Sequence, residues 1–356
     1  MQLLINMGKA LLNSSMDDKK ECLTGNCPTP IEADVGSIRL SEGSGGREMQ
    51  ELISQIRSKL GAESDWKNTQ DDAASIDFAG KKLVFTSDSY VVTPIFFPGG
   101  NIGKIAFCGT VNDLAVMGAR PLGLSLSFVL EEGFSKKDFF SIVETIGELS
   151  KKHGVPIVTG DTKVVEHGSV DKIIINTSGV GSAEIILDEP LEVGDQIIVS
   201  GGIGEHGTAL LARRFELETL IETDSKPLWD EINSVRGLIR QAKDVTRGGL
   251  AAILNEIAEK NGKQFLINEE KIPIEHEVRA LTEVLGIELY NLACEGRFVC
   301  IASHKNSDEV VQKLKQFNKH ACVVGEVLDG KNVIVQTRFG KKVLNMPHGN
   351  IVPRIC

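Results

Sequence analysis

The sequence predicts a protein of two similar-sized domains of the α/β or α+β class. Its 356 residues exceed the size of one ordinary domain. Strand-like and helix-like segments are mixed in both halves and joined by short connections. The composition, 41% hydrophobic and 25% charged, is that of a globular chain with enough apolar residues for two packed cores. We therefore expect two mixed domains rather than a repeat, an all-helical bundle or a disordered chain.

Changes in composition along the chain divide it into four segments. Residues 1–36 are polar and contain turn formers, which predicts a mobile extension with little packing. A loop-like stretch near residues 184–195 separates a first domain, 37–183, from a second domain, 184–340. Residues 341–356 contain glycine and prolines and end in Cys356, so we expect a flexible tail with a thiol at its tip. Counted from Gly340, such a tail reaches roughly 50 Å at about 3.3 Å per residue.

The first domain shows three helical patterns and four strand patterns. Apolar residues recur at helical spacing from Met49 to Leu60, directly after the glycine-rich stretch SEGSGGR. A second cap signal places Ser135 before a helix and Gly154 after its end. A further helix is predicted at 103–117, and strands are predicted at 83–92, 122–130, 155–165 and 172–183.

The second domain also mixes strand and helix patterns, and these patterns are weaker than in the first domain. Apolar runs predict a strand at 196–204 and short strands near 264–267, 297–303 and 321–336. Helices are predicted at 206–214 and at 248–260, and Gly262 ends the second of them.

Charge and cysteine content restrict the function classes. A net charge of −10 argues against nucleic acid or an anionic membrane as the main partner. No apolar run approaches the ~18–20 residues of a membrane span. The 7 cysteines are odd in number and include no CxxC pair, so we expect reduced thiols and a cytoplasmic protein.

Acidic residues recur at predicted strand ends and helix starts, flanked by small or apolar residues. If several of them converge, each pair repels by about 4 kcal/mol at 4 Å and an effective dielectric near 20, so the cluster needs a cation. Hard oxygen ligands favour Mg²⁺ held together with substrate phosphates. The alternative is that each carboxylate caps a turn on its own. The acidic residues are Asp71, Asp72, Asp88, Asp113, Asp161 and Asp244, and the amide Asn112 adjoins Asp113.

Two further features indicate chemistry. The stretch GSGGR, residues 43–47, places free backbone N–H groups before a helix, where a phosphate binds well, although a flexible hinge looks the same. RGGL, residues 247–250, is a second turn of this kind. Lys163 and Glu295 lie in segments that we expect to be buried, and a buried charge needs either a partner or a task. A structural ion pair is the alternative for both.

The motifs together resemble the HypE family of hydrogenase maturation factors, within the aminoimidazole-ribonucleotide-synthetase-like (PurM-like) ATP-binding superfamily. The resemblance covers residues 37–356 and depends on FFPGGNIGKIAFCGT, GDTKVV, DVTRGG, ACEGR and the terminal PRIC. It implies a PurM-like fold whose N-terminal domain contains a mixed sheet, binds MgATP and pairs with a second copy in a homodimer. Residues 1–36 depart from the family, and no role follows for Cys294 or the other internal cysteines.

The resemblance also implies a reaction and its partners. A carbamoyltransferase, HypF, would load a carbamoyl group onto the C-terminal thiol. ATP would then phosphorylate the amide oxygen of this thiocarbamate, and loss of phosphate would leave a thiocyanate. Its cyanide would pass to iron on the HypC–HypD complex, to become a ligand of the [NiFe]-hydrogenase iron centre.

Site roles are carried over by motif position. Cys356 would be the carrier, Lys163 would stabilise charge on the thiocarbamate oxygen, and Glu295 would take the amide proton as a general base. The remaining roles concern the nucleotide and its metal ion. Mg²⁺ would be held by Asp72, Asp88, Asp113 and Asp244, and ATP would be contacted by Gly43, Ser44, Gly45, Gly46, Asn112, Asp161 and Thr162.

Two other functions stay open at this stage. A kinase, synthetase or cyclase of the same superfamily, such as thiamine-phosphate kinase or selenophosphate synthetase, would act on a free small molecule and would need no terminal thiol. A binding or scaffold protein would keep the ATP site without turnover. The complete acidic set, Lys163 and Glu295 argue against the scaffold.

Overall fold

The structure, a computed structural model, describes residues 37–60, 64–349 and 355. The predicted extension, residues 1–36, and the carrier Cys356 lie outside the described residues. Within them the chain forms two mixed sheets with helices, as the sequence predicts.

The first sheet has five strands in the order β1-β2-β7-β5-β6. Its neighbours are antiparallel except β5 and β6, which are parallel and joined by a helix. A small hairpin, β3 (Phe96–Phe97) with β4 (Gly100–Asn101), lies outside this sheet. The five strands are β1 (Ala74–Phe78), β2 (Lys81–Tyr90), β5 (Arg120–Glu131), β6 (Ile157–Val165) and β7 (Ile173–Ala183).

Three helices accompany the first sheet: α1 (Arg47–Leu60), α2 (Ile102–Val116) and α3 (Lys136–His153). Helix α2 is apolar around its whole circumference and almost all of its residues are buried, because it packs between β2 and β7 on one side and the second domain on the other. Helix α3 begins after Ser135, whose Oγ accepts from Asp138 N at 3.3 Å, and ends at Gly154 with φ 66°. Both predicted caps are confirmed.

The second sheet has seven strands in the order β14-β13-β10-β12-β8-β11-β9. The strands are β8 (Gln196–Val199), β9 (Ile239–Asp244), β10 (Gln264–Asn268), β11 (Phe298–Ala302), β12 (Cys322–Leu328), β13 (Val333–Thr337) and β14 (Gly340–Leu344). The helices are α4 (Glu205–Arg214), α5 (Trp229–Val235), α6 (Gly249–Asn261), α7 (His276–Leu285) and α8 (His304–Leu314).

The second domain differs from the sequence prediction in three places. The predicted strand at 196–204 ends at Val199, because the following SGGIG forms the turn into α4. The apolar stretch 321–336 contains two strands, β12 and β13. Residues 341–344, predicted to begin the tail, pair in β14 instead, with Leu344 buried opposite Val333. The tail was predicted to begin too early because Gly340, from which it was counted, is the first residue of β14 and not the start of a loop.

A continuous hydrophobic core runs through both domains, from Ile105 in α2 to Phe265 in β10 and Ile355 near the C-terminus. No helix in residues 37–60 and 64–349 is long and apolar enough to cross a bilayer.

Candidate active site

The structure brings four of the predicted aspartates together where α2 meets the second sheet. Asp72 precedes β1, Asp88 lies on β2, Asp113 on α2 and Asp244 at the end of β9. The Thr86 hydroxyl joins two of them, since Oγ1 lies 2.7 Å from Asp113 Oδ2 and 3.2 Å from the Asp72 carbonyl oxygen. Asp72 and Asp244 are 172 positions apart in the sequence, so local sequence patterns do not show that they lie close together.

Burial and mutual repulsion dominate the electrostatics of this carboxylate cluster. Burial raises the pKa of Asp113 well above its usual range, and the neighbouring Asp88, Asp244 and Asp72 raise it further. The pKa of Asp244 is likewise raised well above its usual range, by burial first and then by Asp72. These directions mean that the cluster resists carrying its full negative charge without a compensating cation.

One lysine compensates part of that charge. Lys243 Nζ contacts Asp72 Oδ1 and lies 3.3 Å from Glu256 Oε2. Burial lowers the pKa of Lys243, but the attraction of Asp72 and Glu256 exceeds that effect and the pKa is raised. Asp244 Oδ2 is buried and has no hydrogen-bond partner among the described residues. A single ammonium shared by two acids therefore leaves excess negative charge in the cluster.

The two glycine turns lie against each other. Gly45 and Gly46 adopt φ of 81° and 89°, and a Cβ on Gly45 would meet the Arg247 backbone carbonyl carbon at 2.8 Å. A Cβ on Gly46 would collide with the carbonyl of Pro347, to which Arg47 N donates at 3.2 Å. Both turns open helices, α1 and α6, which is where backbone N–H groups bind phosphates well. Arg47 N and Gly249 N are already bonded within the protein, Gly249 N to the Thr246 carbonyl at 2.9 Å.

Helix α1 is tied to the carboxylate cluster by side chains. Gln50 Nε2 donates to Glu256 Oε1 at 3.2 Å, and Glu256 in turn contacts Lys243. Gly43 O lies 3.5 Å from Arg247 Nη1, and Ser44 Oγ donates to the Leu40 carbonyl at 2.9 Å. The predicted phosphate turn, residues 43–46, is thus held next to the segment that carries Asp244.

Asn112, predicted to contact the nucleotide, is buried and bonded to the protein backbone. Its Nδ2 donates to the carbonyls of Lys226 at 3.1 Å and Glu295 at 3.2 Å. Its Oδ1 accepts from Leu228 N at 2.8 Å. In this structure the side chain fastens the Glu295 turn to α2, one residue from Asp113.

Glu295 is buried, as predicted, at 2% exposure. Its turn is held by Asp224, whose Oδ1 accepts from Glu295 N at 3.1 Å and whose Oδ2 accepts from Gly296 N at 3.2 Å. Neighbouring Cys294 is also buried; its Sγ accepts from Gly204 N at 3.2 Å, and burial raises the pKa of its thiol well above the usual range. Cys294 is therefore a packed thiol of low nucleophilicity rather than a reactive one.

Lys163 does not lie in a buried segment, and that expectation was wrong. It is on β6, the edge strand of the first sheet, with a side chain 68% exposed and Nζ 3.1 Å from Asp161 Oδ2. Thr162 N donates to Asp161 Oδ1 at 2.8 Å. The flanking Val158 and Val164 suggested burial, but they too are exposed, because within this chain nothing covers the edge strand among the described residues.

The described end of the chain lies inside the protein. Ile355 is 5% exposed, and its carbonyl oxygen lies 3.0 Å from His206 Nε2. Sequence reasoning missed His206. The available signal was a histidine directly after the glycine turn SGGIGE at the start of a helix, which periodicity does not distinguish from a core residue.

Comparisons with known proteins agree with this geometry. Residues 70–183 match the family model of the AIR synthase related protein N-terminal domain, and residues 192–338 match its C-terminal domain. The chain is 42% identical over 335 residues to carbamoyl dehydratase HypE of Rhizobium leguminosarum bv. viciae, covering 90% of this chain and 95% of that protein. It is 38% identical over 337 residues to the Escherichia coli K12 enzyme of the same name, covering 90% and 100%.

Solved structures give the same result. The crystal structure of E. coli HypE superposes with a TM-score of 0.75 at 38% identity, over 86% of this chain and 100% of that one. A hydrogenase maturation protein HypE in complex with ATP gives 0.75 at 36%, over 90% and 100%. A thiamine monophosphate kinase from Aquifex aeolicus gives 0.63 at 19% identity, over 81% and 97%, which shows a shared fold alone. The chain has the PurM-like fold and belongs to the HypE family of carbamoyl dehydratases that act in hydrogenase maturation.

Proposed function

We propose that this protein uses ATP to dehydrate a carbamoyl group carried as a thiocarbamate on its own Cys356. The supporting observation is that Ile355, the residue before Cys356, is buried and its carbonyl is bonded to His206, which is bonded in turn to Thr223, the neighbour of the Asp224 that holds the Glu295 turn. A residue linked in this way to the turn of a buried carboxylate suits a reaction performed on the residue that follows it. The relatives' names and the ATP complex of one relative agree with this.

The proposed reaction balances as an amide dehydration. The amide oxygen of the thiocarbamate attacks the γ-phosphorus of ATP, and ADP leaves. The nitrogen then loses its protons, the carbon–oxygen bond breaks, and inorganic phosphate departs with the former amide oxygen. A carbon–nitrogen triple bond remains, so the products are the thiocyanate, ADP, phosphate and one proton.

The carboxylate cluster fits a magnesium ion. Asp72, Asp88, Asp113 and Asp244 supply hard oxygen ligands, and Asp244 Oδ2 is a buried oxygen that lacks a hydrogen-bond partner within the described residues. When bound, Mg²⁺ neutralises charge on the phosphates of ATP. Backbone N–H groups of residues 43–46 would bind the same phosphates, so the protein's contribution is positioning and charge compensation.

Glu295 is the proposed general base, because it is a buried carboxylate on a turn fixed by both oxygens of Asp224. Lys163 is proposed to stabilise charge on the thiocarbamate oxygen, and Asp161 and Thr162 to contact the nucleotide. In this chain these three side chains lie exposed on β6. They can serve a water-excluding site only after another surface covers the strand.

We propose that a second copy of this chain covers it. The first sheet exposes Phe85 (41%) on β2, Leu122 (51%) on β5, and Val158 (66%) and Val164 (67%) on the edge strand β6. Large exposed apolar side chains grouped on one sheet are typical of an interaction surface. We expect Val158→Lys with Val164→Lys to convert a homodimer to monomers, measured by sedimentation equilibrium. Wild-type protein that sediments as a monomer would contradict the proposal.

A HypF-type carbamoyltransferase is the proposed source of the carbamoyl group, since one similar structure is a HypE–HypF complex (TM-score 0.77, 38% identity, covering 83% of this chain and 99% of that one). A HypC–HypD iron scaffold is the proposed acceptor of the cyanide. A test of the reaction therefore needs protein that the carbamoyltransferase has loaded.

The test is a single turnover on protein loaded by the carbamoyltransferase. After addition of MgATP, intact-mass spectrometry should show Cys356 losing the mass of one water, and ¹⁸O in the carbamoyl group should appear in phosphate. Cys356→Ala should bind ATP but accept no carbamoyl group. ADP formation without a mass change at Cys356 would instead indicate a free small-molecule substrate.

A further inference from the structure

We propose that His206 is a positioning residue that holds the end of the tail so that the terminal cysteine is aligned with Glu295. This inference rests on the proposed function and adds a residue to it. The evidence is one hydrogen bond to the tail and a short path from that bond to the Glu295 turn, made of two hydrogen bonds and the peptide bond between Thr223 and Asp224.

The tail end is bound in a well-defined site. Ile355 belongs to the hydrophobic core and is 5% exposed, and His206 is completely buried. The imidazole also packs edge-on against Phe97, with ring centroids 5.4 Å apart. Burial of this isoleucine side chain stabilises the docked tail through the hydrophobic effect.

The hydrogen bonds determine which nitrogen of His206 carries the proton. A backbone carbonyl only accepts, so Nε2 must donate to Ile355 O across the 3.0 Å contact. Burial lowers the pKa of His206, which favours the neutral ring. Nδ1 then accepts from the Thr223 hydroxyl at 2.8 Å, while Thr223 Oγ1 accepts from Ser225 N at 3.1 Å. Thr223 thus fixes the tautomer that binds the tail.

This arrangement penalises an empty site. If Ile355 leaves, the buried Nε2–H loses its acceptor, and a buried donor without a partner costs about 1–3 kcal/mol. A histidine that served only the core would have both nitrogens bonded within the domain. Here one of them is bonded to the last described residue of the chain.

The residue that orients His206 is adjacent in sequence to the residue that holds Glu295. Thr223 binds His206, and Asp224 binds the N–H groups of Glu295 and Gly296. Thr223 N also donates to Pro98 O at 2.9 Å, which fixes this loop to the first domain. Thr223 and Asp224, which share one peptide bond, therefore connect the tail anchor His206 with the turn of the proposed base Glu295.

Anchoring Ile355 restricts the residue bonded to it. Consecutive Cα atoms are about 3.8 Å apart, so holding Ile355 limits how far the next residue in the sequence can move. Holding two reacting groups in a fixed relation is a large source of rate enhancement, and displacements near 1 Å reduce it strongly. His206 would contribute through position and touch neither ATP nor the reacting atoms.

The experiment measures the alkylation rate of Cys356 in unloaded protein, by peptide mapping after timed iodoacetamide treatment. We expect His206→Leu to raise the rate about fivefold, which corresponds to one lost hydrogen bond. His206→Gln places an amide donor where Nε2 lies and should stay within about twofold of wild type. His320→Gln, a surface histidine beside Glu275, is the matched control.

A second variant, Ile355→Ala, distinguishes a lost anchor from a folding defect caused by His206→Leu. Ile355→Ala keeps His206 and its hydrogen bonds to the domain, and it should raise alkylation about thirtyfold, because the buried side chain is shortened. In the single-turnover assay, His206→Leu should slow thiocyanate formation about tenfold while His206→Gln restores it. Unchanged alkylation in both His206→Leu and Ile355→Ala would overturn the anchor. Wild-type protein that forms no thiocyanate would overturn the proposed function instead.

Discussion

Glu295→Gln is expected to load with carbamoyl normally and then to form thiocyanate at least 100-fold more slowly than wild type, about the loss that follows removal of a general base. Glutamine has the same shape, so the turn held by Asp224 should stay intact. The substitution removes only the ability to accept a proton. The measurement is the rate of mass loss at Cys356 after rapid mixing with MgATP.

Glu231→Gln is the matched control for Glu295→Gln. Glu231 is also buried, at 3% exposure, but it pairs with Lys226 and lies on α5. We expect the control to lower thermal stability while leaving the dehydration rate of the folded fraction close to wild type. A Glu295→Gln protein that dehydrates at the wild-type rate would remove Glu295 from the mechanism.

Asp244→Asn is expected to weaken MgATP binding at least tenfold and at the same time to stabilise the free protein. Binding weakens because a proposed metal ligand loses its charge. Stability rises because burial and Asp72 raise the pKa of Asp244 in the folded state, so the folded protein binds this proton more tightly than the unfolded chain does. Calorimetric Kd and thermal unfolding measure the two effects.

The sign of the pH dependence follows from linkage. Between about pH 4, the unfolded value, and the raised folded value, the folded state holds more protons, so the free energy of unfolding falls as pH rises. The stabilisation by Asp244→Asn should therefore be absent near pH 4 and larger at pH 8. Asp308→Asn, an exposed position on α8, is the control. A destabilised Asp244→Asn protein at pH 8 would contradict the repulsion described for the cluster.

Local sequence signals predicted the elements whose ends have strong caps. Helix α3 lies between Ser135 and Gly154 as predicted, since both caps act within one turn of the chain. The apolar pattern of α2 gave its limits to within one residue. Four elements were not predicted. β1 and α5 are only 5 and 7 residues long, so they carry little local pattern. The amphipathic helices α7 and α8 have a helical pattern that the prediction did not use.

The candidate site was predicted in part. The flanking residues indicated that the aspartates converge, and the structure brings Asp72, Asp88, Asp113 and Asp244 together. The same reasoning failed for Lys163, because apolar neighbours do not distinguish a buried strand from an exposed edge. Asn112 was assigned to the nucleotide by motif position alone, and its hydrogen bonds to the backbone of Lys226 and Leu228 could not be predicted from the sequence.

Because Asn112 and Asp113 are adjacent on α2, the Glu295 turn and the carboxylate cluster are held at a fixed distance from each other. One residue is fastened to the Glu295 turn and the other belongs to the carboxylate cluster. Two consecutive residues of a helix buried between two sheets keep a nearly constant spacing and angle. The carboxylate cluster and the Glu295 turn therefore form one rigid unit, and under the proposed function the adjustment that catalysis requires has to come from the incoming tail. Variation in tail length would change the rate more steeply than comparable changes in surface loops.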